Sequence, residues 1–298
     1  MTMVLCARKG DCSMPFAKQL LSTARGVQLQ YLFWAVFGVA FVCAYFPVIT
    51  SLVHAWSHSD DYSHGFIIAP VAAYMLWQKR EVFLEKQAVG SWSGLLLATG
   101  ALFLYAVSKI GEMQTIASLS MIVFLWGAVI FLFGYGVFRA CFLPLVFLAF
   151  MIPVPAQIIA RLTIPLQLLV TKASVGLASF SGIPIFHDGN IIQLPQGTFQ
   201  VVQACSGLRS IMTMLTLGTV LAYFTLRSTM LRGTLLLLAV PIALAVNILR
   251  VFVLISALYF LSIDLSEGTL HTCLGLAVFG IALGLFLAAG KGLALWER

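Results

Sequence analysis

The chain has 298 residues, of which 61% are hydrophobic and only 9% are charged. A soluble domain carries about 25% charged residues, so this composition excludes an ordinary soluble enzyme, a coiled coil and a disordered chain. The 17 Lys and Arg residues exceed the 10 Asp and Glu residues, but they are too scattered to line a nucleic-acid groove. We therefore expect a polytopic membrane protein that contacts membrane lipids and no nucleic acid.

Apolar segments of membrane-spanning length recur along the whole chain. A transmembrane helix needs about 20 largely apolar residues. Eight segments reach or approach this length, and they predict an all-α fold with about eight transmembrane helices. They cover residues 29–50, 65–78, 94–110, 115–135, 140–153, 206–226, 234–259 and 271–290. Because no repeat or linker interrupts them, residues 1–298 are predicted to form a single integral membrane domain.

The basic residues predict the orientation of these segments. If the N-terminus is cytoplasmic and the segments alternate, twelve of the 17 basic residues fall on the cytoplasmic side. Only Lys109, Arg161 and Lys172 fall on the outer side, and Arg209 and Arg250 lie within segments. This distribution follows the positive-inside rule and predicts that both termini are cytoplasmic.

Residues 154–204 are predicted to form an extracytoplasmic, interfacial insertion. Polar residues at four positions and Pro165 interrupt the apolar stretch 155–181, which favours one or two amphipathic helices at the outer interface. After it, short β-branched runs alternate with Asp188-Gly189-Asn190 and Pro195-Gln196-Gly197. This pattern predicts a small β-hairpin or meander outside the membrane that leads to Cys205.

Cys205, Arg250 and His271 are all predicted to reach the outer leaflet. A cysteine near a helix N-terminus is a favoured thiolate nucleophile, and a histidine can take the thiol proton and later protonate a leaving amine. Arg250 lies about nine residues, or about 13 Å, from the outer end of its segment. A charge within a span is costly, so Arg250 is a functional candidate that could stabilise an oxyanion.

Several neighbours are candidates for substrate binding or for a supporting role. Ser206 is a candidate helix cap, Arg209 lies one turn after Cys205, and Asn247 lies one turn before Arg250 and could hydrogen-bond it. In the loop at 60–65, Tyr62 and His64 either contact the site or only begin a solvated helix. Ser63 and Ser206 are alternative nucleophiles, although the sequence has no GxSxG motif.

The cysteines predict neither a metal site nor a cofactor. No two of them form a CxxC pair, and none belongs to a His/Cys cluster with zinc spacing. Cys273 could instead form a disulfide with Cys205 in an oxidising compartment. Its i+2 spacing, however, turns Cys273 away from the helix face that carries His271.

Five segments together resemble the exosortase family, polytopic membrane transpeptidases related to archaeosortases. They are DYSHGF at 61–66, PVP at 153–155, GNIIQLPQGTFQVVQACSGLRS at 189–210, NILRV at 247–251 and HTCLG at 271–275. The resemblance implies a cysteine peptidase or transpeptidase with Cys205 as nucleophile and thioester carrier, Arg250 as oxyanion stabiliser and His271 as general acid and base.

The resemblance also implies the substrate and the compartment. Substrates would carry a C-terminal PEP-CTERM tail, made of a Pro-Glu-Pro motif, a transmembrane helix and a basic end. The tail would be cut at the periplasmic face of a bacterial inner membrane, and the protein would pass to an acceptor. A polysaccharide and a lipid-linked acceptor both stay open. A competing interpretation from the residues alone is a transporter or lipid-linked carrier in which Arg250 binds an anionic substrate.

Overall fold

The protein is almost entirely helical and divides into two compact units, Met1–Ser51 and Leu52–Arg298. The computed structural model describes residues 14–59, 61–85, 90–201, 206–263 and 268–297. Helix α1 (Met14–His58) belongs to both units. In the first unit, the apolar side chains of Leu32, Val36 and Val39 on this helix are exposed. An apolar exposed surface is what a lipid-facing helix presents.

Ten α-helices and three short strands follow one another in the described parts of the chain. The remaining helices are α2 (Gly65–Gln78), α3 (Arg80–Glu85), α4 (Trp92–Ile110), α5 (Gln114–Ala140), α6 (Phe142–Phe147), α7 (Ala156–Phe180), α8 (Leu208–Thr225), α9 (Thr229–Leu261) and α10 (Gly268–Trp296). A 3₁₀ turn at Leu148–Met151 continues α6. The strands are β1 (Phe186–Asp188), β2 (Ile191–Leu194) and β3 (Gly197–Gln200).

Seven of the described helices are long and apolar enough to cross a membrane, which confirms a polytopic helical membrane protein. They are Ala35–His58 within α1, and α4, α5, α7, α8, α9 and α10. Six of them match predicted spans. The predicted spans at 65–78 and 140–153 form the shorter apolar helices Gly65–Gln78 and Phe142–Met151. At about 1.5 Å per residue, neither covers the ~30 Å thickness of a bilayer core.

Residues 156–180 are the segment that was predicted to form one or two interfacial helices. They form one continuous helix of 25 residues, and the helix includes Pro165. Its length and apolar composition satisfy the same criterion as the other six spans. Pro165 does not break this helix, because a proline removes one helical hydrogen bond without always ending the helix. The interfacial position of the helix stays a prediction.

The predicted extracytoplasmic β-element is a three-stranded antiparallel meander. Asp188 pairs with Ile191, and Leu194 pairs with Gly197, so each connection contains two residues. Gly189 has a φ of +59°, a conformation that glycine adopts without strain, and it allows the first tight turn. The turn sequences at 188–190 and 195–197 were therefore predicted correctly.

Helix α7 and the sheet pack against the C-terminal half of α9. Val170 and Ala178 from α7, Ile192 from β2, and Val251 and Ile255 from α9 form one buried apolar cluster. The Ser174 hydroxyl on α7 also donates to the Ile248 carbonyl at 3.1 Å. Helix α9 continues for eleven residues after Arg250, and its contacts in the apolar cluster are made by that continuing part.

Helices α8, α9 and α10 form a second packed group. Met214, Leu235 and Phe286, one from each helix, are almost fully buried in a shared cluster. A Cβ added at Gly218 would lie 2.8 Å from the Phe286 ring, so the absence of a side chain allows α8 and α10 to approach closely. The group fixes the N-terminal end of α8 beside the middle of α9.

Candidate active site

The described site begins at Ser206, because Cys205 lies outside the described residues. Ser206 is fully buried, and its hydroxyl accepts a hydrogen bond from the Leu208 N–H at 3.3 Å. Helix α8 begins at Leu208, and its cap position is Gly207 with a φ of +85°. Ser206 was predicted as the cap, and this was wrong by one residue. The left-handed turn favours glycine at the cap, and Ser206 satisfies a helix N–H from the preceding position.

Arg250 and His271 contact each other directly across the interface between α9 and α10. Nη2 of Arg250 lies 2.8 Å from Nε2 of His271, and both residues are half-buried. A guanidinium can only donate hydrogen bonds, so Nε2 is the acceptor in this pair. Nε of Arg250 is buried and has no hydrogen-bond partner among the described residues. Arg250 therefore keeps a donor available beside the histidine.

Gly275 provides the space that the Arg250 side chain occupies. It lies one turn after His271 on the same face of α10. A Cβ at this position would lie 3.1 Å from Nη2 and 3.4 Å from Cζ of Arg250. Sequence reasoning missed Gly275, although a glycine at i+4 from a candidate histidine was a usable signal. Cys273, between them, is an exposed free cysteine, consistent with the predicted i+2 orientation.

Asn247 connects α9 with the start of α8. Its side chain is buried, and a Cβ added at Gly207 would lie 3.2 Å from its Nδ2. Asn247 therefore lies against the turn that immediately follows Cys205 in the chain. Arg250 lies one turn further along α9, so both polar residues share a face of this helix.

Arg209 pairs with Asp61 at the exposed edge of the site. Nε of Arg209 donates to Oδ1 of Asp61 at 2.5 Å, and the two side chains are 47% and 39% exposed. The pair joins the first turn of α8 to the loop before α2. The sequence placed Asp61 in the outer loop and Arg209 within a span, one turn after Cys205, but did not predict that they pair.

Tyr62 and His64 face the segment that contains the PVP motif. The Tyr62 hydroxyl donates to the Val154 carbonyl at 3.3 Å and accepts from the Val154 N–H at 3.2 Å. The His64 ring donates to the Phe150 carbonyl. Burial lowers the pKa of His64, and this hydrogen bond together with the charge of Asp61 opposes the change. For Tyr62, whose charged form is the anion, burial raises the pKa, and the hydrogen bond to Val154 opposes this change.

Trp56 and Gly65 also hold this loop against residues 150–154. The indole N–H of Trp56 donates to the Met151 carbonyl at 2.9 Å. A Cβ at Gly65 would lie 2.3 Å from that nitrogen, so only glycine fits beside the indole. The loop is therefore packed against residues 150–154, and it holds Asp61 beside Arg209. A contact between this loop and the substrate stays a prediction.

In the parts of the chain that the structure describes, no group of three His, Cys, Asp or Glu side chains is placed to hold a metal ion. The site instead consists of a guanidinium, an imidazole, a buried serine and a buried amide near the segment that carries Cys205. These groups can donate hydrogen bonds to developing negative charge and can transfer a proton.

Comparison with known proteins identifies the family. A family model described as transmembrane exosortase matches residues 56–288, which include Tyr62, Cys205, Arg250 and His271. Searches of curated proteins and of solved structures gave no match. The family match covers well over half of the chain, and it agrees with the helical membrane fold. The chain therefore belongs to the transmembrane exosortase family.

Proposed function

We propose that the protein is a membrane-embedded cysteine transpeptidase that cleaves C-terminal sorting tails and transfers the cleaved protein through a thioester. The observation that carries this proposal is the 2.8 Å contact between Arg250 and His271, one helical turn after Asn247, which lies against the start of α8. A charged donor and a proton carrier are the two groups that a cysteine nucleophile needs for acyl transfer. Cys205 precedes this helix by three residues and supplies the nucleophile.

The reaction starts at the peptide bond that joins the protein to its tail. The Cys205 sulfur attacks the scissile carbonyl carbon, and the thiol proton passes to His271. The carbonyl oxygen gains negative charge, which Arg250 stabilises through its remaining N–H donors. Collapse of this intermediate breaks the C–N bond, and His271 gives its proton to the leaving amine. The product is a thioester between Cys205 and the protein, and an acceptor nucleophile then displaces the cysteine.

Helix geometry supports a site at a membrane boundary. Arg232 and Arg250 are eighteen residues apart within α9, which corresponds to about 27 Å. His271 and Lys291 are twenty residues apart within α10, or about 30 Å. A bilayer core is also about 30 Å thick. If Arg232 and Lys291 mark one boundary, Arg250 and His271 reach the other.

The charge distribution supports a periplasmic site in an inner membrane. The end of the helices opposite the site carries Lys79, Arg80, Arg139, Arg227, Arg232 and Lys291. Trp77 and Trp296 are exposed at that end, where an interfacial aromatic belt is expected. By the positive-inside rule this end is cytoplasmic, together with both termini, if α2 and the helix Phe142–Met151 cross the membrane and α7 stays on the periplasmic side. Helix α7 and the sheet then cover the periplasmic part of α9.

A substrate anchored in the same membrane suits a site at this depth. We propose PEP-CTERM tails as substrates, because a transmembrane helix in the tail holds the preceding Pro-Glu-Pro motif near the boundary where Arg250 lies. Arg209, the exposed cation at the site edge, is the candidate contact for the acidic residue of the motif. It would exchange Asp61 for the substrate carboxylate. The acceptor is a polysaccharide or a lipid-linked molecule.

Co-expression of the protein with a tailed reporter tests the proposal. Cys205→Ala should abolish tail removal, as measured by immunoblotting of the membrane fraction. Cys273→Ala is the matched control, because this free cysteine is exposed on another face of α10, and tail removal should continue. If Cys205→Ala still processes the reporter, the cysteine mechanism is wrong. A transporter with Arg250 as its anion site then becomes the better interpretation.

A further inference from the structure

A cavity of about 620 Å³ lies at the end of the helices opposite the candidate site. Helix α2 runs from the side of the candidate site toward the cavity, since Asp61 before it pairs with Arg209, while Lys79 after it lines the cavity. Three cations, Lys79, Arg139 and Arg232, line the wall, and no acidic residue of the described chain does so. Like charges that converge repel one another. Glu297 interacts electrostatically with Arg232 but does not line the cavity, so the cavity is suited to an anion.

Arg232 is the fixed part of this wall. Its Nε and Nη2 both donate to the Leu226 carbonyl, at 3.0 and 2.7 Å. The guanidinium also lies over the Tyr223 ring, 5.8 Å from its centroid. These contacts satisfy a carbonyl at the C-terminal end of α8 and hold the positive charge beside the cavity.

The other two cations have no such partners. In the part of the chain that the structure describes, neither the Lys79 nor the Arg139 side chain forms a hydrogen bond or an ion pair. Arg139 follows a break in α5 at Gly134, where φ is +79° and ψ is 174°. This conformation is essentially restricted to glycine. The break redirects the last turn of α5, which brings Arg139 to the cavity wall.

The rest of the wall is apolar. Phe142, Leu143, Phe224 and Leu236 line the same cavity, and Phe142 and Phe224 are exposed. Free phosphate would neutralise the cations but leave this apolar surface without a partner. An anion attached to hydrocarbon would satisfy both parts of the wall. Basic pockets between membrane helices are known to hold the head groups of acidic lipids.

We infer that this cavity binds the phosphate group of an anionic phospholipid, with the acyl chains lying along the apolar wall. Arg139 and Arg232 donate to the phosphate oxygens, and Lys79 adds a third positive charge. Exposed Trp77, stacked against Arg80 with its guanidinium carbon 4.7 Å from the ring centroid, places the membrane interface beside the cavity. The site is separate from the proposed active site and does not depend on the proposed reaction.

Lipid titration of the full chain in neutral detergent tests this inference. Native mass spectrometry would measure the binding of phosphatidylglycerol, phosphatidylcholine and, in a separate arm, inorganic phosphate. The test variant is Lys79→Gln/Arg139→Gln, which leaves the structural contacts of Arg232 intact. Lys291→Gln is the matched control, because Lys291 is an exposed cation near the same end of the helices and does not line the cavity.

We expect phosphatidylglycerol to bind at least tenfold more tightly than phosphatidylcholine. Removing each cation should weaken the binding about fivefold, so the double variant should lose about 25-fold. Lys291→Gln should stay within twofold of the unaltered protein. Unchanged binding by the double variant, or equal binding of phosphatidylcholine, would overturn the inference. If inorganic phosphate alone binds as tightly as phosphatidylglycerol, the ligand is a free anion and the lipid assignment is wrong.

Discussion

Replacing Gly275 by alanine should impair the proposed active site while leaving helix α10 intact. The new Cβ would lie 3.1 Å from Nη2 of Arg250, which is closer than an ordinary contact between these atoms. The guanidinium would have to move away from α10 by about half an ångström to reach a normal van der Waals distance near 3.6 Å. This movement lengthens the 2.8 Å contact between Arg250 and His271.

The size of the effect follows from the sensitivity of catalysis to position. A misplacement of about 1 Å can cost about 10²-fold in rate, so half of that distance should cost roughly tenfold. The stability should change in the opposite direction. Alanine is favoured over glycine in a helix by about 1 kcal/mol, so Gly275→Ala should unfold no more readily than the unaltered protein.

Gly280→Ala separates the two effects. Gly280 lies in the same helix, and a Cβ there would have no neighbour within 4 Å. Both variants would be compared for thermal unfolding in detergent and for the initial rate of tail removal from a co-expressed reporter. We expect slow processing only in Gly275→Ala. Unaltered processing in Gly275→Ala, or an equal loss in Gly280→Ala, would refute the assigned role of the Arg250 position.

Three further predictions concern the surroundings of the site and the opposite end of the helices. Gly207→Ala should lower the free energy of unfolding by about 1–2 kcal/mol, because the φ of +85° at this position is unfavourable for alanine. The control is Gly233→Ala, which should not lower it by that amount, because no atom lies within 4 Å of a Cβ added there. A double-mutant cycle with Asp61→Asn and Arg209→Gln, measured by the free energy of unfolding, should give an interaction energy below about 1 kcal/mol, because both side chains are partly exposed. A larger interaction energy would contradict this and would mean that the pair is buried. The pKa of Glu297 is lowered, chiefly because its carboxylate accepts a hydrogen bond from the backbone N–H of Arg227. The carboxylate therefore stabilises the fold at pH values above the ordinary pKa of glutamate, and this contribution is lost as the pH falls through the lowered pKa. Glu297→Gln should therefore lower the unfolding temperature at pH 7 but not in acid, and an equal loss at both pH values would contradict this.

The membrane fold was largely predictable because hydropathy and charge report on it directly. Length and composition indicated six of the seven helices that meet the spanning criterion. For helix α7, the polar side chains and Pro165 left one or two helices open, and the structure shows one continuous helix that packs against α9. Residues 65–78 and 140–153 were also predicted as spans, and they form shorter apolar helices, the second of which ends in the 3₁₀ turn Leu148–Met151.

The site was predictable in its chemistry but not in its contacts. Residue type and common depth selected Arg250 and His271, and the structure places their side chains together. The ion pair between Asp61 and Arg209 joins residues far apart in sequence, so no local pattern indicates it. Gly275 was missed for a different reason. A glycine in a helix is locally unfavourable, and only the position of Arg250 on a neighbouring helix explains it.

The structure gives a second explanation for the apolar residues that follow Arg250 in α9. The sequence suggested that Arg250 lies about 13 Å inside the outer boundary, because the apolar segment continues beyond it. In the structure, α7 and the sheet pack against that continuing part, including Val251 and Ile255. Its apolar character is therefore explained by protein contacts. Arg250 can then lie at the membrane boundary, where a charged side chain costs much less than in the bilayer core.

The most direct test of the proposed function is to identify the residue that becomes covalently bound to the substrate. Membranes that contain the protein and a tailed reporter would be quenched in acid during turnover, and the digested peptides would be analysed by mass spectrometry. We predict that the truncated reporter is attached through a thioester to Cys205, and that hydroxylamine releases it. The adduct should be absent from Cys205→Ala. Attachment to Ser206, or reporter cleavage by Cys205→Ala, would contradict the account.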